Sequence, residues 1–481
     1  MPEQTSILDP RGIGYAYYLS MQKHRKKCAQ FDVITNQGQA YGDLLQRCIE
    51  AALAMENAGL KPGDFISICS GNHLDVCVPY IASLFSGFIT ASVEPAMSAQ
   101  EITNLLNQVM PKIIFVVPQA VGVIEEIVEK FETKPLIVVF GENKKYINFS
   151  EFLIPLTSRE EFTPRKPDDL DETSLVIFSS GTTGKPKGIC HTHRSMLSSI
   201  KDSNNPWEVL KFKIDFLLAN GLQLATYLSH QTPDHIKLEN LVHLCIGGYP
   251  ISKEQVLEIR RKFPKVQMIN MYGQTELFGG PFLYPLYDGR KLTEKYPNLI
   301  GIPRPSVAWK IVDIETEKIL GPNEQGELRL KTSAQCKGYH NCDSSETFDS
   351  EGWLRTGDMA YYNEDMCFFI TNRIKESFKY RGNHVIPSEI EQVLLSHPSV
   401  EKAVVLGVPH EDDRNHPMAV IELNEKGTDV CEEEIVKYVE MRVDDKNRLR
   451  GGVKIVSQIP LTVTDKINRF KLRQMVLSNN V

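Results

Sequence analysis

An α/β fold is predicted for this chain, with a large first lobe and a small α+β module at the end. Near-continuous apolar runs of strand length alternate with helical segments in the first half, which is typical of a parallel sheet covered by helices on both faces. The pattern turns short and alternating over residues 307–330, which indicates a β-rich subdomain. It changes again further on, so we expect a large lobe over residues 1–372 and a C-terminal domain over residues 373–481.

The elements of the first half follow from the spacing of apolar residues. A helix is expected over residues 41–60, because apolar side chains recur at helical spacing before the stop at Gly59. Short apolar runs then predict strands, and longer apolar or periodic stretches predict the helices between them. The strands are expected over residues 65–69, 113–117 and 136–140, and the helices over residues 74–85 and 122–131.

Three later strands each run into a glycine-containing loop. They are expected over residues 174–180, 241–246 and 266–270. Ligands of open α/β sheets bind at the carboxyl ends of the strands, so these three transitions are where chemistry is expected.

The last module is predicted to mix helices and strands after a linker near residues 372–379. Ser388 and Glu391, preceded by Pro387, form the pattern of a helix-start box. Strands are expected over residues 404–406 and 418–423, and a helix over residues 435–443.

Composition excludes several classes of protein. The 481 residues are 42% hydrophobic and 24% charged, close to the soluble globular average, which excludes a fibrous or mostly disordered chain. The 54 Lys and Arg residues stand against 61 Asp and Glu residues, so the net charge is -7 and no nucleic-acid partner is expected. The ten Cys residues are scattered singly without a C-x-x-C pair, which favours reduced thiols.

The sequence also predicts a location. The first residues lack an apolar segment behind a basic start, and no window approaches about 18 uninterrupted apolar residues, so neither a secretory signal nor stable membrane insertion is expected. The last residues lack the Ser-Lys-Leu peroxisomal tripeptide. We therefore expect a cytoplasmic protein, with the peroxisome as the less favoured compartment. The sequence does not indicate an oligomeric state.

A phosphate cradle is predicted directly after the strand at residues 174–180. The segment there reads Ser179-Ser180-Gly181-Thr182-Thr183-Gly184-Lys185-Pro186-Lys187-Gly188. Glycine lets backbone N–H groups approach an anion, hydroxyls add donors and lysine adds charge. The usual NTPase loop is excluded, because only two residues separate Gly181 from Gly184 and Pro186 stands where Ser or Thr would hold magnesium. An ordinary flexible turn is the alternative.

Four further motifs follow the phosphate segment in a fixed order. They are Tyr272-Gly273-Gln274-Thr275-Glu276, Gly352-Trp353-Leu354-Arg355-Thr356-Gly357-Asp358, Arg373-Ile374-Lys375-Glu376-Ser377-Phe378-Lys379-Tyr380-Arg381-Gly382 and Thr464-Asp465-Lys466-Ile467. Together these segments resemble the adenylate-forming superfamily, which includes acyl-CoA synthetases, coumarate-CoA ligases and beetle luciferases. The resemblance spans essentially the whole chain. The run Leu449-Arg450-Gly451-Gly452-Val453 and the last module look closest to the insect luciferase-like acyl-CoA synthetases.

The resemblance implies an ATP-dependent acid-CoA ligase. In that family a carboxylate attacks the α-phosphate of ATP and releases pyrophosphate, and a thiol, usually that of CoA, then displaces AMP to give a thioester. ATP, Mg²⁺ and CoA are therefore the expected cofactors, and a small carboxylic acid is the other expected partner. The resemblance also implies a mobile C-terminal domain that swings about Lys375 between the two half-reactions.

Catalytic roles are likewise implied by the resemblance. Lys466 would neutralise the carboxylate and α-phosphate oxygens, and Thr275 would touch the α-phosphate. Glu276 would ligate magnesium, since a carboxylate is a hard oxygen ligand. Lys187 would grip the β- and γ-phosphates with the phosphate segment. Taken alone, each of these residues has a plain alternative as a solvated or turn residue.

Substrate-binding roles complete the expected site. Asp358 would accept hydrogen bonds from the ribose hydroxyls, and Arg373 would donate to the same sugar. Gly382 would lie beside the pantetheine channel, and the segment at Gly247 would pack on the adenine ring. The full set of residues expected to bind ATP or CoA is Ser179, Ser180, Gly181, Thr182, Thr183, Gly184, Gly247, Gly248, Tyr249, Tyr272, Asp358, Arg373, Lys375, Lys379 and Gly382. A zinc site at Cys190, His191 and His193 is not favoured, because no fourth ligand accompanies them.

The sequence departs from the family between Gly188 and Gly247. The family has a further strand-helix-strand there, including an aromatic-His-x-x-Gly segment that helps form the acyl pocket, and this chain lacks it. Residues 201–206 run straight into a stretch, 207–218, that is expected to be helical. Losing interior strands would expose backbone donors and apolar neighbours. Three single residues also depart from the family. Tyr249 stands in place of a small residue, Met271 in place of a usual glycine, and Asp465 in place of the glycine that precedes the catalytic lysine.

The missing block leaves other functions open. A nucleotide-binding or interaction protein with impaired catalysis is the main alternative to the ligase. Light production is a third, supported only by the family's oxidative side reaction.

Overall fold

The computed structural model describes residues 8–32, 35–154, 162–179, 187–202, 216–219, 242–248, 253–284, 289–424, 430–462 and 467–478. Within these ranges the helices are α1 (Gly12–Lys23), α2 (Tyr41–Asn57), α3 (Cys77–Ser86), α4 (Ala99–Val109), α5 (Val121–Val128), α6 (Phe149–Phe152), α7 (His193–Asp202), α8 (Lys253–Lys262), α9 (Gly289–Lys295), α10 (Pro387–Leu395), α11 (Glu432–Glu440) and α12 (Arg469–Leu477).

The strands of the first half are β1 (Cys28–Asp32), β2 (Gln37–Ala40), β3 (Phe65–Cys69), β4 (Ile89–Ala91), β5 (Ile113–Val116), β6 (Leu136–Val139), β7 (Ile147–Asn148), β8 (Thr173–Ser179) and β9 (Lys187–Thr192). Those that follow are β10 (Phe216–Ala219), β11 (His243–Gly247), β12 (Gln267–Met271), β13 (Phe282–Leu283), β14 (Ile302–Pro303), β15 (Ala308–Val312), β16 (Gly326–Lys331), β17 (Gly338–Tyr339), β18 (Leu354–Tyr362), β19 (Phe368–Arg373), β20 (Phe378–Tyr380), β21 (Asn383–Val385), β22 (Val400–His410), β23 (Arg414–Leu423) and β24 (Val453–Val456).

The largest sheet of the described residues is mostly parallel, as the apolar runs predict. Its strand order is β17-β9-β8-β4-β3-β5-β6-β7. Strands β3 to β8 pair in parallel, whereas β9 pairs antiparallel with β8 and β17 pairs antiparallel with β9. The β8–β9 hairpin therefore places the two ends of the predicted phosphate segment beside each other at one end of the sheet.

Helices cover both faces of this sheet. Successive residues of a strand point to opposite faces, so Ile113 and Phe115 of β5 pack in the core formed with α2 and α3. Ile114 and Val116 of the same strand pack with α4 and α5 on the other face. This two-sided burial explains why the strand is apolar at every position.

Two larger sheets, besides the two-stranded sheets β1-β2 and β13-β14, complete the described part of the large lobe. Strands β10, β11 and β12 form a parallel sheet against which α8 packs. Strands β15, β16, β18 and β19 form an antiparallel sheet in that order, which confirms the β-rich subdomain. The carboxyl ends of β11 and β12 lead into the predicted adenine and Tyr272–Glu276 segments, respectively.

The smaller C-terminal part is α+β. Its sheet runs β21-β20-β23-β22, with β24 added in parallel to β23, and the helices α10 and α11 pack on it. A single 3-10 turn, Ile374–Glu376, lies between β19 and β20. The boundary at residue 372 stays a prediction.

Two sequence predictions about local structure are wrong. Ser388 and Glu391 do not form a helix-start box, because Pro387 is the first residue of α10 and Ile386 occupies the N-cap position without a side-chain cap. Ser388 Oγ instead donates to the carbonyl of Thr371 at 2.8 Å, and Glu391 accepts a hydrogen bond from the backbone N–H of Val405 at 2.7 Å.

The second concerns the stretch 207–218, for which the sequence predicts a helix. Its last residues belong to strand β10, paired in parallel with β11. Residues 207–215 lie outside the described residues. An apolar run this short fits a buried strand as well as a helix, and pairing with β11 decides between them.

All ten cysteines are free thiols, which confirms the expectation of reduced cysteines.

Candidate active site

Asp358 is a buried carboxylate on which three donors converge. It lies on β18 and is 2% exposed. The hydroxyl of Tyr272 donates to its Oδ2 at 2.7 Å, and the amide of Gln274 donates to the same oxygen at 2.6 Å. The guanidinium of Arg373 lies 3.1 Å from Oδ1. The motifs at residues 272–276, 352–358 and 373–382 thus meet at one carboxylate.

Electrostatics at this carboxylate reflect opposed effects. Burial raises the pKa of Asp358, whereas the charge of Arg373 and the hydrogen bonds from Tyr272 and Gln274 lower it, and the net direction is upward. Burial and the neighbouring Asp358 charge also raise the pKa of Tyr272 well above its usual value, so its phenol stays a donor. The arrangement fixes Asp358 as an acceptor whose orientation is set before any ligand arrives.

The backbone at Thr275 is anchored from the neighbouring sheet. His191 on β9 is fully buried, and its Nε2 lies 2.8 Å from the carbonyl oxygen of Thr275. Burial lowers the pKa of His191 to about 4, so the ring is neutral near pH 7 and Nε2–H donates to that carbonyl. The ring also meets Phe278 edge-on, with the centroids 5.2 Å apart. The large sheet therefore holds the loop that carries Thr275 and Glu276.

Glu276 is tied to the start of β9 through Tyr339. The Tyr339 hydroxyl donates to Oε1 of Glu276 at 3.0 Å, and the Lys187 ammonium lies 4.6 Å from the centre of the Tyr339 ring. Burial, reinforced by the nearby Glu276 carboxylate, raises the pKa of Tyr339 to about 12. Within the described part of the chain, Oε2 of Glu276 accepts no hydrogen bond, so this oxygen suits a hard cation.

The predicted phosphate segment is described only at its two ends. Ser179 ends β8 and Lys187 begins β9, and the two residues pair across the hairpin. Ser180, Gly181, Thr182, Thr183 and Gly184 lie outside the described residues. The contacts of Tyr339 nevertheless place Lys187 near Glu276.

The predicted adenine segment follows β11. Gly247 pairs with Met271, the last residue of β12, so the segment runs beside the start of the Tyr272 loop. Gly248 has a φ of 76°, in the left-handed region that favours glycine. Tyr249 lies outside the described residues. Parallel strands bring their carboxyl ends to the same edge, which is why these two segments are neighbours.

The predicted site residues from the end of β19 onward divide into two groups. Arg373 contacts Asp358, and Lys375 lies in the 3-10 turn that follows. Lys379 and Gly382 do not join the cluster at Asp358. The ammonium of Lys379 lies 3.7 Å from Glu315, and Gly382 has a φ of 83° in the turn between β20 and β21. Lys466 lies outside the described residues.

Sequence reasoning missed Gln274, His191 and Tyr339 as parts of the site. Gln274 stands inside a recognised motif, next to residues with assigned roles. The sequence suggests His191 only as a metal ligand, and its neighbour His193 instead accepts a hydrogen bond from the backbone N–H of Ile13 at 3.3 Å. Tyr339 has no local signal, because it reaches Glu276 only through the pairing of β17 with β9.

The fold and the family matches are those of the adenylate-forming enzymes. The family model of the AMP-binding enzymes matches residues 20–219 and 206–340, and the model of their C-terminal domain matches residues 389–466. The chain belongs to the AMP-binding enzyme family.

Individual relatives agree with this assignment. The chain is 30% identical to the luciferin 4-monooxygenase of Luciola mingrelica, over 91% of this chain and 89% of that protein. It is 28% identical to the peroxisomal OPC-8:0-CoA ligase 1 of Arabidopsis thaliana, over 96% and 93% of the two chains. The crystal structure of the anthranilate CoA ligase AuaEII superposes with a TM-score of 0.84 at 19% identity, over 98% of this chain and 99% of that one, which shows a shared fold.

The comparisons also bear on the length of the chain. The alignments with the Arabidopsis ligase and with a probable CoA ligase of Humulus lupulus run over 517 and 537 positions, more than the 481 residues of this chain. These relatives therefore contain residues that have no counterpart here. Among the residues that the structure describes, no helix has both the length and the apolar character needed to cross a bilayer.

Proposed function

We propose that this chain is an ATP-dependent acid-CoA ligase, which joins a carboxylic acid to CoA through an acyl-adenylate. Membership of the AMP-binding family supports the adenylation step. The CoA ligases among the relatives support the thioester step. The observation that carries the proposal is the convergence of Tyr272, Gln274 and Arg373 on Asp358.

The proposed reaction has two steps. An oxygen of the substrate carboxylate forms a bond to the α-phosphorus of ATP, the bond from that phosphorus to the bridging oxygen breaks, and pyrophosphate leaves. The sulfur of CoA then forms a bond to the acyl carbon, the bond from that carbon to the AMP oxygen breaks, and the thiol proton passes to solvent. Both steps need negative charge to be stabilised, which oriented donors and cations do best in a partly buried site.

The described residues fit the groups that these steps require. The carboxylate of Asp358 suits a pair of ribose hydroxyls, because its position is fixed by three donors from two different segments. Oε2 of Glu276 suits Mg²⁺, which would supply charge neutralisation to the phosphates when bound. Lys187 adds a cation near the same carboxylate, above the ring of Tyr339. Lys466 is proposed to reach the reacting oxygens.

Carboxylate-dependent release of pyrophosphate tests the proposal directly. The full chain is incubated with Mg-ATP and a panel of short, long-chain and aryl acids, and pyrophosphate is measured beside a Lys466→Ala variant. Lys454→Ala is the matched control, since Lys454 is an exposed lysine of β24 in the same part of the chain. We expect at least a tenfold rate with one acid class, lost in Lys466→Ala and kept in Lys454→Ala. Pyrophosphate release that ignores both the acid and Lys466 would reject the ligase.

A second function is favoured by the extra residues of the relatives. If these residues build the acyl pocket, the chain would bind nucleotide without turning it over, and would act as a nucleotide-binding or interaction protein. Calorimetry with Mg-ATP, followed by mass spectrometry of the mixture with acids, separates the two. Binding without any acyl-adenylate would support this second function, and an adenylate product would exclude it.

Light production and cellular location are the remaining points. Several relatives are named luciferin 4-monooxygenases, so luminometry with luciferin and oxygen is a useful addition to the acid panel. The cytoplasmic location stays a prediction, and the peroxisomal name of one relative keeps the other compartment open.

A further inference from the structure

Two histidines and an aspartate converge at the turn between β22 and β23, outside the candidate active site. His410 is the last residue of β22, Asp413 lies in the turn, and His416 is the third residue of β23. One nitrogen of each imidazole and one carboxylate oxygen all lie within 4.8 Å of one another. The site lies in the C-terminal part, on the hairpin that pairs with β20.

The distances suit a single small cation. Oδ2 of Asp413 lies 2.8 Å from Nε2 of His416 and 3.9 Å from Nδ1 of His410. Ligand atoms at about 2.0–2.2 Å from a tetrahedral zinc ion are about 3.3 Å apart. The two observed distances lie on either side of this value, so distance shifts of about half an ångström, together with a turn of the exposed His410 ring, would let one ion bind all three groups. Two imidazoles and a carboxylate are the ligand set of open zinc sites, in which water takes the fourth position.

The carboxylate already has the support that metal ligands usually have. Nε of Arg381 donates to Oδ1 of Asp413 at 2.6 Å, which leaves Oδ2 directed at the two histidines. Asp413 is 8% exposed, whereas His410 is exposed. The cluster is therefore anchored by a buried carboxylate and open to solvent at His410. A hydrogen-bonded carboxylate that offers its other oxygen is the common arrangement around a bound metal.

The two imidazole rings stack in the structure, with their centroids 3.8 Å apart and their planes 18° apart. A metal lies in the plane of each imidazole that binds it, so a shared ion requires one ring to turn, and the exposed His410 is the ring that can do so. Nδ1 of His410 now accepts the backbone N–H of Asp413 at 3.3 Å, a long bond that a cation would replace.

We propose that His410, Asp413 and His416 form a binding site for one Zn²⁺ ion, with Arg381 orienting the carboxylate. Only three protein ligands are present, and binding breaks two hydrogen bonds, that of His410 Nδ1 with the backbone N–H of Asp413 and that between His416 Nε2 and Asp413 Oδ2. We therefore expect micromolar rather than nanomolar affinity. The inference is independent of the proposed ligase activity, since none of these side chains belongs to the candidate active site.

Metal binding would stiffen the segment that follows the 3-10 turn. The backbone N–H of Arg381 donates to the carbonyl of Asp413 at 3.1 Å, and the Asn415 amide donates to the carbonyl of Lys379 at 3.2 Å. The turn of the β22–β23 hairpin is thus hydrogen-bonded to residues 379–381, directly before Gly382. A cation bound by His410, Asp413 and His416 would stabilise the turn and, through it, these hydrogen bonds.

Titration of the full chain with Zn²⁺ against a chromophoric chelator tests the site. We expect one equivalent bound per chain in the unaltered protein. Since loss of an outer-shell partner already weakens metal binding by about 10–100-fold, loss of a ligand in His410→Ala or His416→Ala should weaken it by at least about 100-fold. His384→Ala is the matched control, because His384 is an exposed histidine of β21 in the same part of the chain. Asp413→Asn keeps an oxygen for Arg381 and removes the charged ligand.

Two further measurements locate the bound metal. The exposed thiols of Cys342 and Cys431 are the competing surface sites for a metal. Because the proposed site has no thiolate ligand, its Co²⁺ adduct should lack the near-ultraviolet charge-transfer band that a thiolate gives. Zn²⁺ should slow amide hydrogen exchange over residues 379–382 and 410–416 in the unaltered chain but not in His416→Ala. Equal zinc affinity in the unaltered chain and both histidine variants, or a thiolate band, would overturn the proposal.

Discussion

At the scale of single residues, Asp358 is where the candidate site is most sensitive to substitution. Its carboxylate accepts from Tyr272 and Gln274 and pairs with Arg373 while being almost fully buried. Replacing it by an amide of the same shape turns one acceptor into a donor that faces other donors. A buried group left with a mismatched partner costs about 1–3 kcal/mol.

We therefore expect Asp358→Asn to lower the free energy of unfolding by about 1–3 kcal/mol and to weaken Mg-ATP binding at least tenfold. Tyr272→Phe is the matched variant, because it removes one donor and leaves the carboxylate with Gln274 and Arg373. Its expected cost is about 1 kcal/mol. Denaturant unfolding and calorimetry measure both effects. Unchanged ATP affinity in Asp358→Asn would refute the ribose-binding role.

His191 makes the stability of the protein depend on pH. Its pKa is lowered by burial to about 4 in the folded state, against about 6.5 when unfolded. Above pH 6.5 the ring is neutral in both states and contributes nothing. As the pH falls from 6.5 towards 4, the unfolded state takes up a proton that the folded state does not, so stability is lost across this window.

For this one histidine the expected loss is about 2 kcal/mol at pH 5. His191→Gln keeps a donor for the carbonyl of Thr275 and cannot titrate, so its stability should fall less between pH 7 and pH 5. The exposed His384→Ala variant should show the same fall as the unaltered chain. Urea unfolding at the two pH values gives the difference. Parallel curves for His191→Gln and the unaltered chain would contradict the assignment.

At the scale of elements, close backbone contact between α1 and α3 depends on one glycine. A Cβ placed on Gly14 of α1 would lie within 2.1 Å of the carbonyl oxygen of Leu84 in α3, an overlap that the backbone cannot relieve cheaply. Gly122 in α5 offers the reverse case, because a Cβ there meets no atom within 4 Å.

Gly14→Ala should therefore destabilise the protein by about 3 kcal/mol, through separation of the two helices. Gly122→Ala should be neutral or stabilising by up to about 1 kcal/mol, since alanine favours the helix. Compared with the unaltered chain, the apparent midpoint of thermal unfolding should fall in Gly14→Ala and should stay the same or rise in Gly122→Ala. A harmless Gly14→Ala would show that α1 and α3 do not pack this closely.

The elements also show what a sequence can and cannot predict. Strand β3 is predicted at its observed ends, since a five-residue apolar run between glycines has few other solutions. The box at Ser388 fails because Pro387, whose fixed φ suits the first position of a helix, makes Ile386 the N-cap, two residues before Ser388. The family resemblance assigns Tyr272 and Asp358 to the same nucleotide site, but it does not predict the hydrogen bond between them. The contact of Tyr339 with Glu276 depends on the pairing of β17 with β9, two strands far apart in the sequence.

At the scale of the whole molecule, the shortened stretch bears on the sheet of β10, β11 and β12. Among the described residues, the cluster packed on this sheet consists of Leu244, Ile246, Val256, Ile259, Val266 and Met268. The large sheet is buried on both faces by two extensive clusters. The relatives contain residues without a counterpart here, and the sequence places the shortened stretch directly before the smaller sheet. A sheet that lacks neighbouring strands would bury less of its surface, and a less buried region opens at lower free energy than the rest of a protein.

Amide hydrogen exchange should therefore be at least tenfold faster in β11 and β12 than in β3 and β5. The adenine segment at Gly247 and the loop from Tyr272 extend from these two strands, so ligand binding is coupled to their ordering. Mg-ATP should then slow exchange in β11 and β12 and leave β3 and β5 unchanged, since any ligand that binds only the ordered state stabilises it. The Asp358→Asn variant is the control, and its exchange should not respond to Mg-ATP at the same concentration. Equal protection of both sheets without ligand would mean that the shortened stretch costs the molecule no stability, and the case for an impaired enzyme would lose its physical basis.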